Sequence, residues 1–253
     1  MKLSKIVAAA TLALVLTGCS TNQSKQTKNY QSDSKTQLNS KAPSSSSKSD
    51  NHFMSLTQQL SKKFNNTLLP QTSGLTNDHT VNAKETGNSN NLKIVYTLDN
   101  HALPLNSNKI SNNTYATLTK KTYTNSSAAK ESINFQPASS TEGLPKINLG
   151  HSITGRTQSG AGQEYISWNE GRWSISVHGS RVNHTNPKFT AVSAVNMFEK
   201  YSLPAPETLG TVALFAGDTT GLNQTITFQK GSVVYTLKAN SASAGIKMAA
   251  SMK

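Results

Sequence analysis

From Glu164 to Val177 apolar side chains fall on every second residue: Ile166 and Trp168 come before a polar turn, and Trp173, Ile175 and Val177 after it. Alternation of this kind puts one set of side chains on one face of a strand. The stretch therefore predicts a β-hairpin turning at Asn169-Glu170-Gly171, with glycine supplying the positive φ of a type I turn plus G1 bulge. The opposite face carries Ser167, Ser174 and Ser176. The pattern returns at Ile226–Leu237 (ITFQKGSVVYTL), where Phe228 aligns with Trp168, Gly231 with Gly171, Tyr235 with Ile175 and Leu237 with Val177. Two origins fit this echo: an internal duplication, or two hairpins of one sheet using the same turn chemistry. Leu92–Leu98 (LKIVYTL) and Thr114–Thr124 add two more strands.

Three segments have helical period instead. Phe53, Leu56, Leu60 and Phe64 recur three and four apart after a cap at Asp50 or Asn51. Asn186 caps a second helix with Pro187 at its first position and Ala191, Ala194, Val195, Phe198 and Tyr201 on one face, before Leu203-Pro204-Ala205-Pro206 stops it. Ala242–Met252 closes the chain as a third helix, weakest at Gly245, and Ser126–Ile133 has the makings of a short additional one. Asn66–Asn91 shows no sustained period and predicts loop with one short strand at Thr67–Leu69; Leu144–Leu149 reads as extended. The expected fold class is α+β: a mostly antiparallel sheet, flat or curved, with about three covering helices, in a single domain over residues 51–253.

Upstream of this domain the pattern changes twice. Lys2 and Lys5 precede an eleven-residue run, IVAAATLALVL, broken only by Thr11, and Leu16-Thr17-Gly18-Cys19 follows. A basic start, a short apolar stretch and small residues before a cleavage point make residues 1–18 a signal peptide. Cys19, the one cysteine of the chain, becomes the candidate lipidation site, its thiol open to diacylglycerol transfer. Residues 19–50 are almost entirely Ser, Lys, Asn, Gln and Thr, too polar for a core, and predict a disordered tether with a reach of about 30 Å. A lipidated Cys19 implies a bilayer as partner and a location on the extracytoplasmic face of the cell membrane.

Composition narrows the chemistry. A single cysteine rules out an intrachain disulfide framework. Residues 51–253 hold 18 Lys and Arg against 10 Asp and Glu, a net charge of +8, which favours approach to anionic lipid or anionic wall polymer. The basic residues are dispersed and form no nucleic-acid motif. The six histidines are scattered, without metal-ligand spacing, so neither a metal nor a cofactor is expected. Gly150–Gly155 lacks the nucleophile-elbow spacing, and no carboxylate pair stands out, so the chain is expected not to be an enzyme. The candidate ligand-binding residues are Ile166, Trp168, Trp173, Phe228 and Tyr235, which line either a packed core or a concave sheet face able to take lipophilic ligands.

The Leu16–Cys19 lipobox, the Ser/Lys/Asn tether, the I-x-W-x-E-G-x-W hairpin at Ile166–Trp173, Leu203–Pro206 and Val233–Leu237 together resemble the small surface lipoproteins of lactic acid and related Gram-positive bacteria. The resemblance implies an extracytoplasmic, membrane-anchored protein. More distantly, the tryptophan hairpin in an antiparallel sheet with covering helices is similar to the LolA/RseB-like group, which implies a curved sheet holding acyl chains; no functional residue of that group carries over. Two functions are thus expected in competition. One is a non-catalytic binding module for lipophilic ligands, and the other a basic surface protein docking on anionic wall polymer.

Overall fold

A computed structural model describes residues 48–76, 79–217 and 220–253; the expected signal peptide, Cys19 and nearly all of the expected tether lie outside the described residues. The described part is α+β. Ten strands form one open sheet in the order β1-β2-β3-β10-β9-β8-β7-β6-β5-β4. These are β1 (Thr80–Gly87), β2 (Asn91–Asp99), β3 (Thr114–Thr122), β4 (Lys146–Asn148), β5 (Thr154–Gly160), β6 (Gln163–Glu170), β7 (Trp173–Ser180), β8 (Gly210–Ala216), β9 (Gln224–Lys230) and β10 (Val233–Ala239). Every pairing is antiparallel except β7 with β8, which run parallel. The helices are α1 (Lys48–Lys63), α2 (Ser126–Glu131), α3 (Pro187–Lys200) and α4 (Ala242–Ala250), with a 3₁₀ turn at Ala138–Thr141.

The three helices expected from periodicity cover one face of the sheet, and the short α2 is a fourth, lying on the other. α1 starts at Lys48, ahead of the expected cap, so that Asp50 falls in its first turn, where the helix dipole favours a carboxylate. Its Phe53, Leu56 and Leu60 are buried, with Phe53 against the ring of Tyr96 at 5.7 Å. In α3 the Asn186 side chain accepts from the Lys188 N–H at 2.9 Å and Pro187 opens the helix, as the sequence predicts. In α4 the glycine has a packing role: a Cβ on Gly245 would sit 3.3 Å from that of Ala239 on β10, so its absence lets the helix approach the sheet.

The hairpins depart from expectation at their turns. Glu170 pairs with Trp173 and Lys230 with Val233, leaving two-residue loops, Gly171-Arg172 and Gly231-Ser232. Each has positive φ only at its glycine, +55° and +59°, as a II′ turn requires, and this turn matches strand twist better than the predicted type I turn with a bulge. The resemblance between the hairpins extends to their surroundings: β5-β6-β7-α3 and β8-β9-β10-α4 are each three antiparallel strands followed by a helix.

The Asn-rich stretch also differs. Leu69 forms no strand of the sheet but exchanges both backbone hydrogen bonds with Lys253, at 2.9 and 3.2 Å, tying the end of the chain to the α1–β1 connection. Further along, Thr80–Gly87 is a full edge strand. The loop after β2 covers its outer edge: Asn106 N–H donates to Ala83 O and the Asn106 side chain accepts from Glu85 N–H. That cover blunts an edge otherwise open to pairing with another chain.

Candidate binding face

The register sorts every strand residue onto one of two faces. Ile166, Trp168, Trp173, Phe228 and Tyr235 all fall on the face covered by α1, α3 and α4, where the Trp173 ring lies 6.1 Å from Phe228 and Phe228 stacks on Tyr235 at 5.4 Å. The sequence thus brings the five together, yet into a closed core: each is at most 8% exposed. Their polar handles are used internally, with Trp168 Nε1 donating to Glu170 Oε1 at 2.6 Å and the Tyr235 hydroxyl accepting from the Leu68 N–H at 3.3 Å. A Cβ on Gly210 would come within 2.6 Å of the Trp173 ring, so strand and indole are in tight contact. In the structure α3 and α4 pack over this face, which keeps a recess lined by Trp173 and Ile175 beside the end of α3.

Next to the aromatic cluster, Lys120 is an inward-facing lysine opposite Tyr235. Its ammonium donates to Thr67 Oγ1 at 3.0 Å and Asn66 O at 3.4 Å, and desolvation pulls its pKa below the ordinary lysine value. Beneath α1, the hydroxyl of Tyr96 is buried without a hydrogen-bond partner.

The opposite face is where polar chemistry collects. Cross-strand partners follow one another across the sheet in a row of Lys93, Thr119, Thr236, Thr227, Thr211 and Ser174. A second row, displaced by two residues, runs Thr117, Lys238, Thr225, Ala213, Ser176 and Ser167, with Arg156 next on β5. Thr227 and Thr236 hydroxyls lie 3.3 Å apart. A third, shorter row is aromatic and amide: Phe215, His178, Tyr165 and Gln158. In it Tyr165 stacks on the His178 ring at 4.6 Å, His178 meets Phe215 edge-on at 5.1 Å, and His178 Nε2 hydrogen-bonds to Gln163 Oε1 at 2.6 Å. No carboxylate occupies any of the three rows, while Lys93 and Lys238 are exposed within them and Lys121 beside them.

The chain linking β3 to β4 crosses this face and walls it. Ala129 and Ile133 pack on Val234, Gln136 N–H donates to Ser174 Oγ at 3.2 Å, and Asn169 Nδ2 donates to Gln136 O at 2.9 Å. The fully buried Gln229 pins the start of the crossing by donating to Ser126 O at 2.8 Å. Two recesses, of about 390 and 370 Å3, lie along the crossing and share Gln136 and Ser176. One opens over the threonines of β8, β9 and β10, the other over Tyr165 and Gln158. Together they make a shallow hydroxyl- and amide-lined trough.

Alternation around 174–176 does reveal the outward serines; what no single strand reveals is that Thr117, Thr119, Thr225 and Thr227 join them across the register. Among the described residues no three His, Cys, Asp or Glu side chains converge to hold a metal ion, and no helix is long and apolar enough to cross a membrane. Compared with protein-family models, with curated proteins and with solved structures, the chain has no match. Fold and faces together define an α+β protein whose ten-stranded, mostly antiparallel open sheet is packed on one side and largely bare and hydroxyl-rich on the other.

Proposed function

We propose that the chain is a non-catalytic binding module of the cell envelope, anchored through Cys19 to the extracytoplasmic face of the membrane, which docks on anionic wall polymer through the uncovered sheet face. The observation that carries this reading is the sheet face around the trough: rows of hydroxyls with lysines in or beside them and no carboxylate in any row. Such a surface suits a hydroxyl-rich chain bearing phosphates. The serine, threonine and glutamine side chains exchange hydrogen bonds with polyol or sugar hydroxyls, Tyr165 offers a stacking face, and Lys93, Lys121 and Lys238 meet the negative charges.

The lipophilic-ligand reading, with its likeness to the LolA/RseB-like group, draws on another feature. Glu170, Trp173, Ile175, Phe198 and Leu203 line a recess of about 220 Å3 beside the end of α3. That is below the ~300 Å3 at which small-molecule sites begin, so polymer docking has the stronger support.

The docking is tested by retention of the purified protein on isolated cell walls. Replacing Lys93, Lys121 and Lys238 together by Gln is expected to weaken retention by about two orders of magnitude, at about 1 kcal/mol for each lysine near an anionic surface, and retention of the parent should fall steeply with added salt. Salt-insensitive retention, or an undiminished triple variant, would remove the reading. The anchor is tested separately. Labelled palmitate should enter the parent protein in growing cells, and Cys19→Ser should abolish labelling and release the protein into the medium; a Cys19→Ser protein that stays labelled and cell-bound would refute lipidation at that residue.

A further inference from the structure

The connection from β7 to α3 exposes apolar side chains in a way the packed core does not explain. Val182 is 72% exposed and Phe189, in the first turn of α3, is 76% exposed, the two most exposed large apolar residues described. The connection is nevertheless well fastened. Arg181 N–H donates to Gly162 O at 2.8 Å, Ser180 N–H to Thr185 Oγ1 at 2.6 Å, Thr185 N–H back to Ser180 O at 2.9 Å and His184 N–H to Arg181 O at 3.1 Å. Val182 rests over the Ala161-Gly162 turn, where a Cβ on Gly162 would come within 2.9 Å of Val182 Cγ2. An ordered loop that holds apolar groups out in water has already lost the conformational freedom that docking would cost.

Charge and position narrow the partner. Residues 181–189 (RVNHTNPKF) contain Arg181, His184 and Lys188 and no acid. The carboxylate of Glu164 on the neighbouring strand meets Arg181 Nε at 3.5 Å. β2 and β7 run in the same direction across the sheet, so Asp99 and Ser180 end on the same edge. The described chain begins on that edge too, where Lys48 lines a recess with Asn100 and His101. An aliphatic and an aromatic group flanked by cations, on the edge where the chain from Cys19 enters, fits the interfacial layer of an anionic bilayer.

We infer that the 181–189 connection is a membrane-contact loop, in which Val182 and Phe189 enter the headgroup boundary of an anionic bilayer and Arg181 and Lys188 meet its phosphates. This does not depend on the wall-polymer reading; the significance of the loop's position rests on the anchor at Cys19, whereas the exposed apolar pair and its flanking cations stand without it. Where the chain is tethered, the high effective concentration of bilayer makes even a weak contact sufficient to orient the domain.

The test uses the chain from Ser20 onward, which carries no acyl group, at millimolar lipid. The protein is expected to float with vesicles of phosphatidylglycerol mixed with phosphatidylcholine, and only weakly with phosphatidylcholine alone. The double variant Val182→Ser/Phe189→Ser should lower the floated fraction about tenfold or more, since most of the apolar contact is lost. The variant Phe189→Trp should shift its emission to shorter wavelength on anionic vesicles, measured as a difference from the parent with its two buried tryptophans. Equal flotation of the double variant, or emission of Phe189→Trp that does not move with lipid, overturns the inference. If the double substitution abolishes self-association in sedimentation while leaving flotation unchanged, the loop contacts a second copy of this chain instead, and the inference is likewise overturned.

Discussion

Raising the pH above about 10, the ordinary ionisation range of tyrosine, is expected to unfold the domain in one steep transition. Three core tyrosines set the slope. Burial pushes the Tyr96 phenol far up, with no hydrogen bond to offset it. Burial also raises Tyr115 well above its ordinary value, and an ionised Tyr96 beside it would raise it further. For Tyr235 burial again raises the pKa, against a smaller opposing effect of the bond from Leu68 N–H. Above about pH 10 the unfolded chain gives up these protons while the folded chain keeps them, so stability falls as pH rises. Each group contributes at most about 1.4 kcal/mol per pH unit, and only until the pH reaches its own raised pKa. That loss falls on a domain stabilised by only roughly 5–15 kcal/mol. Lys120 works in the opposite sense over a lower range. Its depressed pKa means that the cost of burying its charge is relieved as pH climbs towards the unfolded value near 10.4, and nothing more is gained above it.

The check is to follow the phenolate absorbance and the far-ultraviolet circular dichroism together through the alkaline range. The part of the absorbance change that comes from the buried phenols should coincide with the loss of dichroism. Ionisation of all the tyrosines with intact dichroism would mean that these phenols are not held in a closed core. Tyr96→Phe provides the control: it removes an orphaned buried hydroxyl, should stabilise the neutral protein by about 1–3 kcal/mol, and should make the alkaline loss of stability less steep.

The parts of the fold legible in sequence are those where one element buries one face. Ile166, Trp168, Trp173, Ile175 and Val177 do share a face, Asn186 and Pro187 do open a helix, and the two glycine hairpins do occupy equivalent places. Two of the strands that escaped reading are polar and lie at or near an edge of the sheet, while the apolar β8, paired on both sides, escaped as well. β1, with Lys84, Glu85 and Thr86, is a sheet edge wrapped by a loop, so it has little apolar alternation to show. β5 (TGRTQSG) lies near the other edge and is hydrophilic for the same reason. Periodicity also assigns residues to faces without saying which face is covered. α3 and α4 settle that physically, by covering the side that holds Trp173 and Ile226 and leaving the serines and threonines on the side crossed only by the β3–β4 connection. The hydroxyl rows in turn exist only in the register, because they combine residues as far apart in sequence as Lys93 and Thr236.

Trp173→Ala separates the two functional readings more sharply than any change on the bare face. The indole is 8% exposed, packed against Gly210 and Phe228 and reached by Phe198 and Leu203 from the side of α3. Truncating a buried tryptophan removes its transfer free energy and leaves a void that strand and helix cannot fully close, an expected loss of about 3–5 kcal/mol. That is a large share of the whole stability of such a domain, and it should appear as a lower denaturant midpoint and melting temperature. Retention of the folded fraction on cell walls should be unchanged, because Trp173 faces away from the hydroxyl rows. If Trp173 instead lined a lipid cavity that opens in solution, the variant would keep its stability and lose a bound acyl lipid visible in native mass spectra of the parent. A stable Trp173→Ala protein would thus transfer the function to the helix-covered face. A destabilised one with intact wall retention leaves the tryptophans as the floor on which the binding face is built.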